Sequence, residues 1–339
     1  MSSASGFEKT IQKSIVEMRL SWSISTAWQI LLENTLVTDE YFMKSQFHLS
    51  EQAREILPPA IVRAISQFIH NPIQSALILR NCLLDRTLPP TPYGGQLSSV
   101  QTPVSYQVNL ALYQLIGVQP VVYEGENDGN LFRHVVPSRL ATQTRSSHGS
   151  RIRFGYHVDN PDLPLLEEPV GSLSACPEYL SLFGMRCDSR VTTTLVLIDQ
   201  VLERLNEVVV NALAQPKFTI RRPASFGVPR ETHGLPLIVA GKAGKWLCRF
   251  DTENTFAVDS ESVAAIKALR AVLEKRDLDI ALLLLPGDFL IFKNQRTLHA
   301  RDAFVPLDDG VDRWMLRLFG MSDLSRTRPA LSGRSFEVA

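Results

Sequence analysis

Residues 282–319, LLLLPGDFLIFKNQRTLHARDAFVPLDDGVDRWMLRLF, constrain the fold most, because short apolar runs of strand type carry one histidine and two arginines. The run 282–285 stops at Pro286-Gly287-Asp288, a turn signal, and a second run, 289–292, ends at Lys293-Asn294. In Arg313-Trp-Met-Leu-Arg317-Leu-Phe319, read as a strand, Arg313, Met315 and Arg317 share one face, and Trp314, Leu316 and Leu318 the other. If the first face points into a barrel, burying two guanidinium groups costs several kcal/mol each unless each meets an anion. A pocket that holds carboxylates is expected.

At 339 residues with no internal repeat, the chain reads as one elaborated domain. Lys plus Arg equals Asp plus Glu at 35 each, and no long run of like charge occurs, so a nucleic-acid partner is not expected. The longest apolar run, residues 280–285, is far below the roughly 20 residues that span a bilayer, and the opening MSSASGFEKT has no apolar signal core. No membrane contact and a cytoplasmic location are expected, and nothing in the sequence sets the oligomeric state. Cys82, Cys176, Cys187 and Cys248 are scattered without a CxxC pair, which argues for reduced thiols over structural zinc or disulfides.

Ile11, Ile15, Met18 and Trp22 fall at helical spacing, so peripheral helices are expected at the N-terminus, and Ser50 is expected to cap a helix that breaks at Pro58-Pro59. Strands are expected at 75–79, 118–123, 131–136, 179–185, 190–196 and 245–250, and helices at 110–117, 196–213 and 260–275, the last capped by Ser260. Residues 138–150 read as a flexible polar loop and 161–177 as a proline-rich loop. The stretch 215–235, with Arg221, Arg222, Arg230 and His233, reads as a mobile lid. Short strands with a few helices define a mainly β chain with helical decoration (α+β), a sandwich or barrel at its core.

His157 and Asp159 are two residues apart, so on a strand or its extended exit both point the same way, and His299, 142 residues further on, offers a third ligand from another strand. Two histidines and one carboxylate suit a non-haem Fe(II) oxygenase. A chance His-x-Asp in a chain with seven histidines is the competing reading.

In order along the chain, His157-Val-Asp159, Leu285-Pro-Gly-Asp288 ahead of Lys293-Asn294, His299-Ala-Arg301 and Arg313-Trp-Met-Leu-Arg317 resemble the clavaminate synthase-like (TauD-related) Fe(II)/2-oxoglutarate-dependent oxygenases, over residues 75 to 324 or so. The resemblance implies a double-stranded β-helix (jelly roll) core, with His157, Asp159 and His299 as Fe(II) ligands. It also implies 2-oxoglutarate and O2 as cosubstrates, with Arg313 on the distal carboxylate of 2-oxoglutarate and Thr194 beside it. The implied partition is a helical region at 1–70, the oxygenase domain at 71–330 with insertions at 160–178 and 196–245, and a tail at 331–339. Close relatives mostly carry glutamate where this chain has Asp159, while aspartate is usual in the wider superfamily.

The same resemblance implies hydroxylation of an unactivated C–H bond of a free L-amino acid, with release of succinate and CO2. Arg317 would grip the substrate carboxylate. Asp251 and Glu253 would hold a cationic side-chain end, which points to lysine or arginine, and Gln143, Ser146 and Ser147 are candidates for the α-amino group. The alternatives are an Arg317 paired with an internal acid, a solvated turn at Asp251 and Glu253, a neutral, cyclic or carrier-tethered amino acid as substrate, and a non-catalytic jelly-roll binding protein.

Overall fold

The computed structural model describes residues 7–12, 14–33, 39–138, 149–223, 226 and 229–339. The chain opens with β1 (Phe7–Gln12) and β2 (Ile15–Leu20), then α1 (Trp22–Glu33), α2 (Asp39–Ile56) and α3 (Pro59–Ser66). Next come β3 (Ala76–Arg80), α4 (Pro103–Ile116), β4 (Gln119–Tyr123), β5 (Arg133–Val135) and β6 (Phe154–His157). After the irregular segment 161–177 follow β7 (Tyr179–Arg186), β8 (Thr193–Leu197), α5 (Ile198–Leu202), α6 (Glu207–Leu213), β9 (Phe218–Arg221) and β10 (Glu231–Leu235). Then come β11 (Ile238–Ala240), β12 (Trp246–Cys248), β13 (Thr255–Ala257), α7 (Ser260–Glu274) and β14 (Ile280–Leu282). The chain ends with β15 (Phe289–Lys293), β16 (Thr297–Arg301), β17 (Trp314–Met321) and β18 (Glu337–Val338).

Two sheets enclose the site. The larger runs β1-β2-β3-β15-β7-β17-β4-β18, with β5 also paired to β17, and the smaller runs β14-β8-β16-β6. Strand alternation sorts the larger sheet's side chains. Leu180, Leu182, Leu290, Phe292, Met315 and Phe319 join the core shared with the smaller sheet, while Phe183, Phe289, Ile291, Trp314, Leu316 and Leu318 pack under α1 to α4. The expected division of β17 into two faces is thus observed.

The turn 285–288 locks the larger sheet. Asp288 accepts from Leu285 N at 2.8 Å and Asn81 N at 3.2 Å, and pairs with Arg80 Nη1 at 2.6 Å in the interior. Gly287 sits at φ +82°, and a Cβ there would lie 2.5 Å from the Cys82 carbonyl oxygen, so only glycine fits.

Several expectations are corrected. Residues 7–20 are a β-hairpin, not a helix; β2 pairs in parallel with β3, and Ile15, Val16, Met18 and Leu20 are all buried, a two-face burial that hides the period of two. The N-terminal helical region therefore begins with two strands of the main sheet. Ser50 lies inside α2, where its hydroxyl donates to Phe47 O at 2.8 Å, and the cap of α7 is Asp259, in a capping box with Ser262. Within the stretch 215–235, β9 and β10 pair as a hairpin fastened by Arg221 to Glu231 at 3.0 Å and by Arg230 to Asp162. The C-terminal tail is stitched in as well, because β18 pairs in parallel with β4. Among the described residues, no helix is long and apolar enough to cross a membrane.

Candidate active site

β6 and β16 are neighbours in the smaller sheet with His157 directly opposite His299, which brings two residues distant in sequence to ring centroids 4.0 Å apart. Just beyond β6 the chain leaves the sheet, and Asn294 clamps its backbone: Asp159 N donates to Asn294 Oδ1 at 3.1 Å, and Asn294 Nδ2 donates to Asp159 O at 3.0 Å. This swings the Asp159 carboxylate under both imidazoles, with Oδ1 at 3.8 Å from His157 Nε2 and Oδ2 at 3.7 Å from His299 Nε2. One ligand atom from each of the three lies within 4.8 Å of the others.

The protonation states favour a cation. His157 Nδ1 sits 2.8 Å from the Gly155 carbonyl oxygen, to which it donates, so Nε2 presents its lone pair. Burial first, then the neighbouring His299, push the His157 imidazolium down to about 3, so the ring is neutral near pH 7. Burial alone would raise the Asp159 carboxyl, but Arg317 and the two imidazoles outweigh it and hold it well below the usual carboxylate range. Two imidazoles and one carboxylate, converging on one point beside an open cavity, are a fitting donor set for Fe(II).

The cavity, of about 230 Å³, lies between the two sheets and is lined by all three of these residues. Arg313 lies in its wall. The side chain is 5% exposed, its Nη2 donates to Thr193 Oγ1 at 3.3 Å, and its Nε has no partner among the described residues. Burial pushes its guanidinium down to about 10, against the raising effect of Cys187 and Asp188. Thr193, not Thr194, is the threonine at this place. Thr194 opposes Ala281 and Ala300 and so faces away from the cavity, whereas Thr193 opposes Arg301 and lines it.

Arg317 also lines the cavity and has protein partners, as the internal-acid alternative holds: it pairs with Glu126, and its Nη1 lies 3.3 Å from Asp159 Oδ2. Glu126 binds Arg133 Nη1 at 3.2 Å too, and its Oε2 is buried without a partner among the described residues. Neither Glu126 nor Arg301, which also lines the cavity, was marked by its sequence context, because one sits in a turn read as polar punctuation and the other follows a histidine that drew the assignment.

Asp251 and Glu253 both line the cavity, on a segment bridged to His157. The Asp251 carboxylate is committed to its own turn, accepting from Glu253 N at 2.7 Å, Asn254 N at 3.0 Å and Asn254 Nδ2 at 2.9 Å. The Asp251 carboxylate thus already accepts three hydrogen bonds, and Glu253 lines the same cavity beside it. Gln143, Ser146 and Ser147 lie outside the described residues.

Fold and site together fit a non-haem iron oxygenase. Residues 217–319 match the family described as "Taurine catabolism dioxygenase TauD, TfdA family". The chain is 26% identical over 284 residues to the L-lysine 3-hydroxylase of Catenulispora acidiphila, covering 81% of this chain and 75% of that one. It is 27% identical over 281 residues to clavaminate synthase 2 of Streptomyces clavuligerus, covering 79% and 80%. The solved structure of an asparagine oxygenase in complex with Fe(II), 2S,3S-3-hydroxyasparagine and succinate superposes with a TM-score of 0.78 at 24% identity, over 94% of this chain and 98% of the other. The chain is thus similar, over most of its length, to TauD-related and clavaminate synthase-like oxygenases.

Proposed function

We propose that the protein is an Fe(II)/2-oxoglutarate-dependent dioxygenase that hydroxylates an unactivated C–H bond of a free L-amino acid, most simply a basic one such as lysine or arginine. The observation that carries this is a buried His157, Asp159 and His299 cluster sharing one cavity with Arg313, a buried cation with no carboxylate partner among the described residues. His157, Asp159 and His299 would hold the iron, and Arg313 with Thr193 the distal carboxylate of 2-oxoglutarate. When bound, iron with 2-oxoglutarate and O2 supplies the oxidising power for the C–H bond and releases succinate and CO2. The two sheets are the walls of a jelly roll in this reading, within an oxygenase domain over residues 71–330 flanked by the segments 1–70 and 331–339.

The chain's own contribution is placement. Arg317, which lines the cavity, is poised for a substrate carboxylate. Glu253, also in the cavity lining, suits a cationic end. A substrate held at both ends presents one carbon to the iron. The relative named as a lysine hydroxylase supports a basic substrate. A neutral substrate is the second reading, favoured by the three hydrogen bonds that the Asp251 carboxylate already accepts and by the asparagine oxygenase structure.

The test is a screen of the common L-amino acids for 2-oxoglutarate-dependent succinate formation, with mass detection of a product one oxygen heavier. A basic amino acid is expected to respond, with Glu253→Gln raising its KM about tenfold or more, the loss of one charge-assisted contact. Turnover of neutral amino acids alone selects the second reading. No turnover with folded, iron-loaded protein contradicts both.

A further inference from the structure

Seven arginines are buried among the described residues, and five of them meet a carboxylate: Arg80, Arg133, Arg249, Arg296 and Arg317. Arg313 and Arg301 do not. We propose that Arg301 is a second cosubstrate-binding residue, which with Arg313 and Thr193 forms the cradle for the distal carboxylate of 2-oxoglutarate. The inference rests on the cosubstrate reading above and adds to it a residue that the reading did not use.

Geometry puts the three together. Arg301 follows His299 by two positions on β16, so both side chains project to the cavity face, and both line the cavity. Across the ladder Arg301 opposes Thr193, and directly opposed residues share a face with Cβ atoms roughly 5 Å apart. The Thr193 hydroxyl in turn accepts from Arg313 Nη2 at 3.3 Å. Two guanidinium groups therefore flank one hydroxyl, on the wall made by β8, β16 and the start of β17.

Arg301 has little else to hold. It is 7% exposed, its Nη2 reaches the Ile152 carbonyl oxygen at a long 3.4 Å, its guanidinium lies 5.1 Å from the Phe304 ring centre, and its Nε has no partner among the described residues. Residues 139–148, 224–225 and 227–228, outside the described set, contain no Asp or Glu, so the missing charge is not theirs to supply. Two adjacent buried cations repel each other and forfeit hydration, a cost relieved when one anion accepts from both. A carboxylate with about four acceptor sites matches two donor forks and a hydroxyl.

The test compares two keto acids that chelate iron alike, 2-oxoglutarate and 2-oxobutanoate, of which only the first has a distal carboxylate. Folding of Arg301→Gln is checked by circular dichroism and Tm, and the Fe(II)-loaded protein is titrated anaerobically while the charge-transfer absorption of the keto acid complex is followed. The expected result is a Kd for 2-oxoglutarate raised about tenfold or more, with the Kd for 2-oxobutanoate changed less than about twofold. Equal changes for both acids, or none for 2-oxoglutarate, overturn the assignment. If the glutamine variant does not fold, Arg301→Lys decides on the same comparison: a rise of about threefold or more confined to 2-oxoglutarate supports it, and parallel changes overturn it. A wild-type protein that binds neither acid defeats the cosubstrate reading and this inference with it, whereas normal wild-type binding with an indifferent variant defeats this inference alone.

Discussion

His157 shows how one buried side chain ties stability to pH. Its imidazolium is pushed from 6.5 down to about 3 by burial and by His299, so the folded protein excludes a proton that the unfolded chain accepts. Between these values unfolding takes up a proton, and stability falls as the pH falls. The metal-free protein is expected to lose about 2 kcal/mol between pH 6.5 and pH 5 from this group. Denaturant unfolding of metal-free wild type and His157→Asn at both pH values checks this: the drop should shrink in the variant, and an undiminished drop contradicts it. At the same scale, the sequence made His157, Asp159, His299 and Arg313 legible, because each is a charged or ligating type on or next to a largely apolar strand. It hid Glu126, whose importance comes only from Arg133 and Arg317 converging on it across the fold.

At the scale of elements, period-two alternation carried most of the reading and also produced its errors. It sorted β17 correctly, because that strand has a polar-containing face on the cavity and an apolar face under the helices. It could not sort Thr193 from Thr194 in a run of three threonines, where a shift of one residue reverses the face. Thr193→Val is therefore expected to raise the Kd for 2-oxoglutarate about fivefold through the lost support of Arg313, and Thr194→Val to leave it within about twofold. Binding titrations of both variants check the register, and the reverse order contradicts it. The hairpin β1-β2 escaped because Ile11, Ile15 and Met18 satisfy helical spacing by straddling a turn at Ser14, whose φ is 68°.

Across the whole molecule, the site depends on segments that have no regular structure of their own. Residues 161–177, read from their prolines as a loop, are held by Arg249, which is fully buried. It pairs with Glu168 and donates to the carbonyls of Pro161 at 3.2 Å and Leu163 at 3.1 Å. Arg230 fastens the same segment through Asp162, and Arg326 donates to Leu165 O at 2.8 Å. Such anchors join positions 68 to 161 residues apart, and no local pattern announces them. Arg249→Ala is expected to cost about 3 kcal/mol, since it strands a carboxylate and two carbonyls, while Arg221→Ala, which breaks an exposed pair, costs about 0.5 kcal/mol or less. Urea midpoints of the two variants measure the contrast, and equal losses contradict the anchoring role.

Everything in the functional reading turns on whether His157, Asp159 and His299 hold one ferrous ion beside a keto diacid. Anaerobic addition of Fe(II) and then 2-oxoglutarate to the metal-free protein measures this most directly. The expected result is a visible charge-transfer band that is absent with either component alone and abolished in Asp159→Ala. Folded protein that shows no such band, or a band that survives undiminished in the variant, contradicts the account.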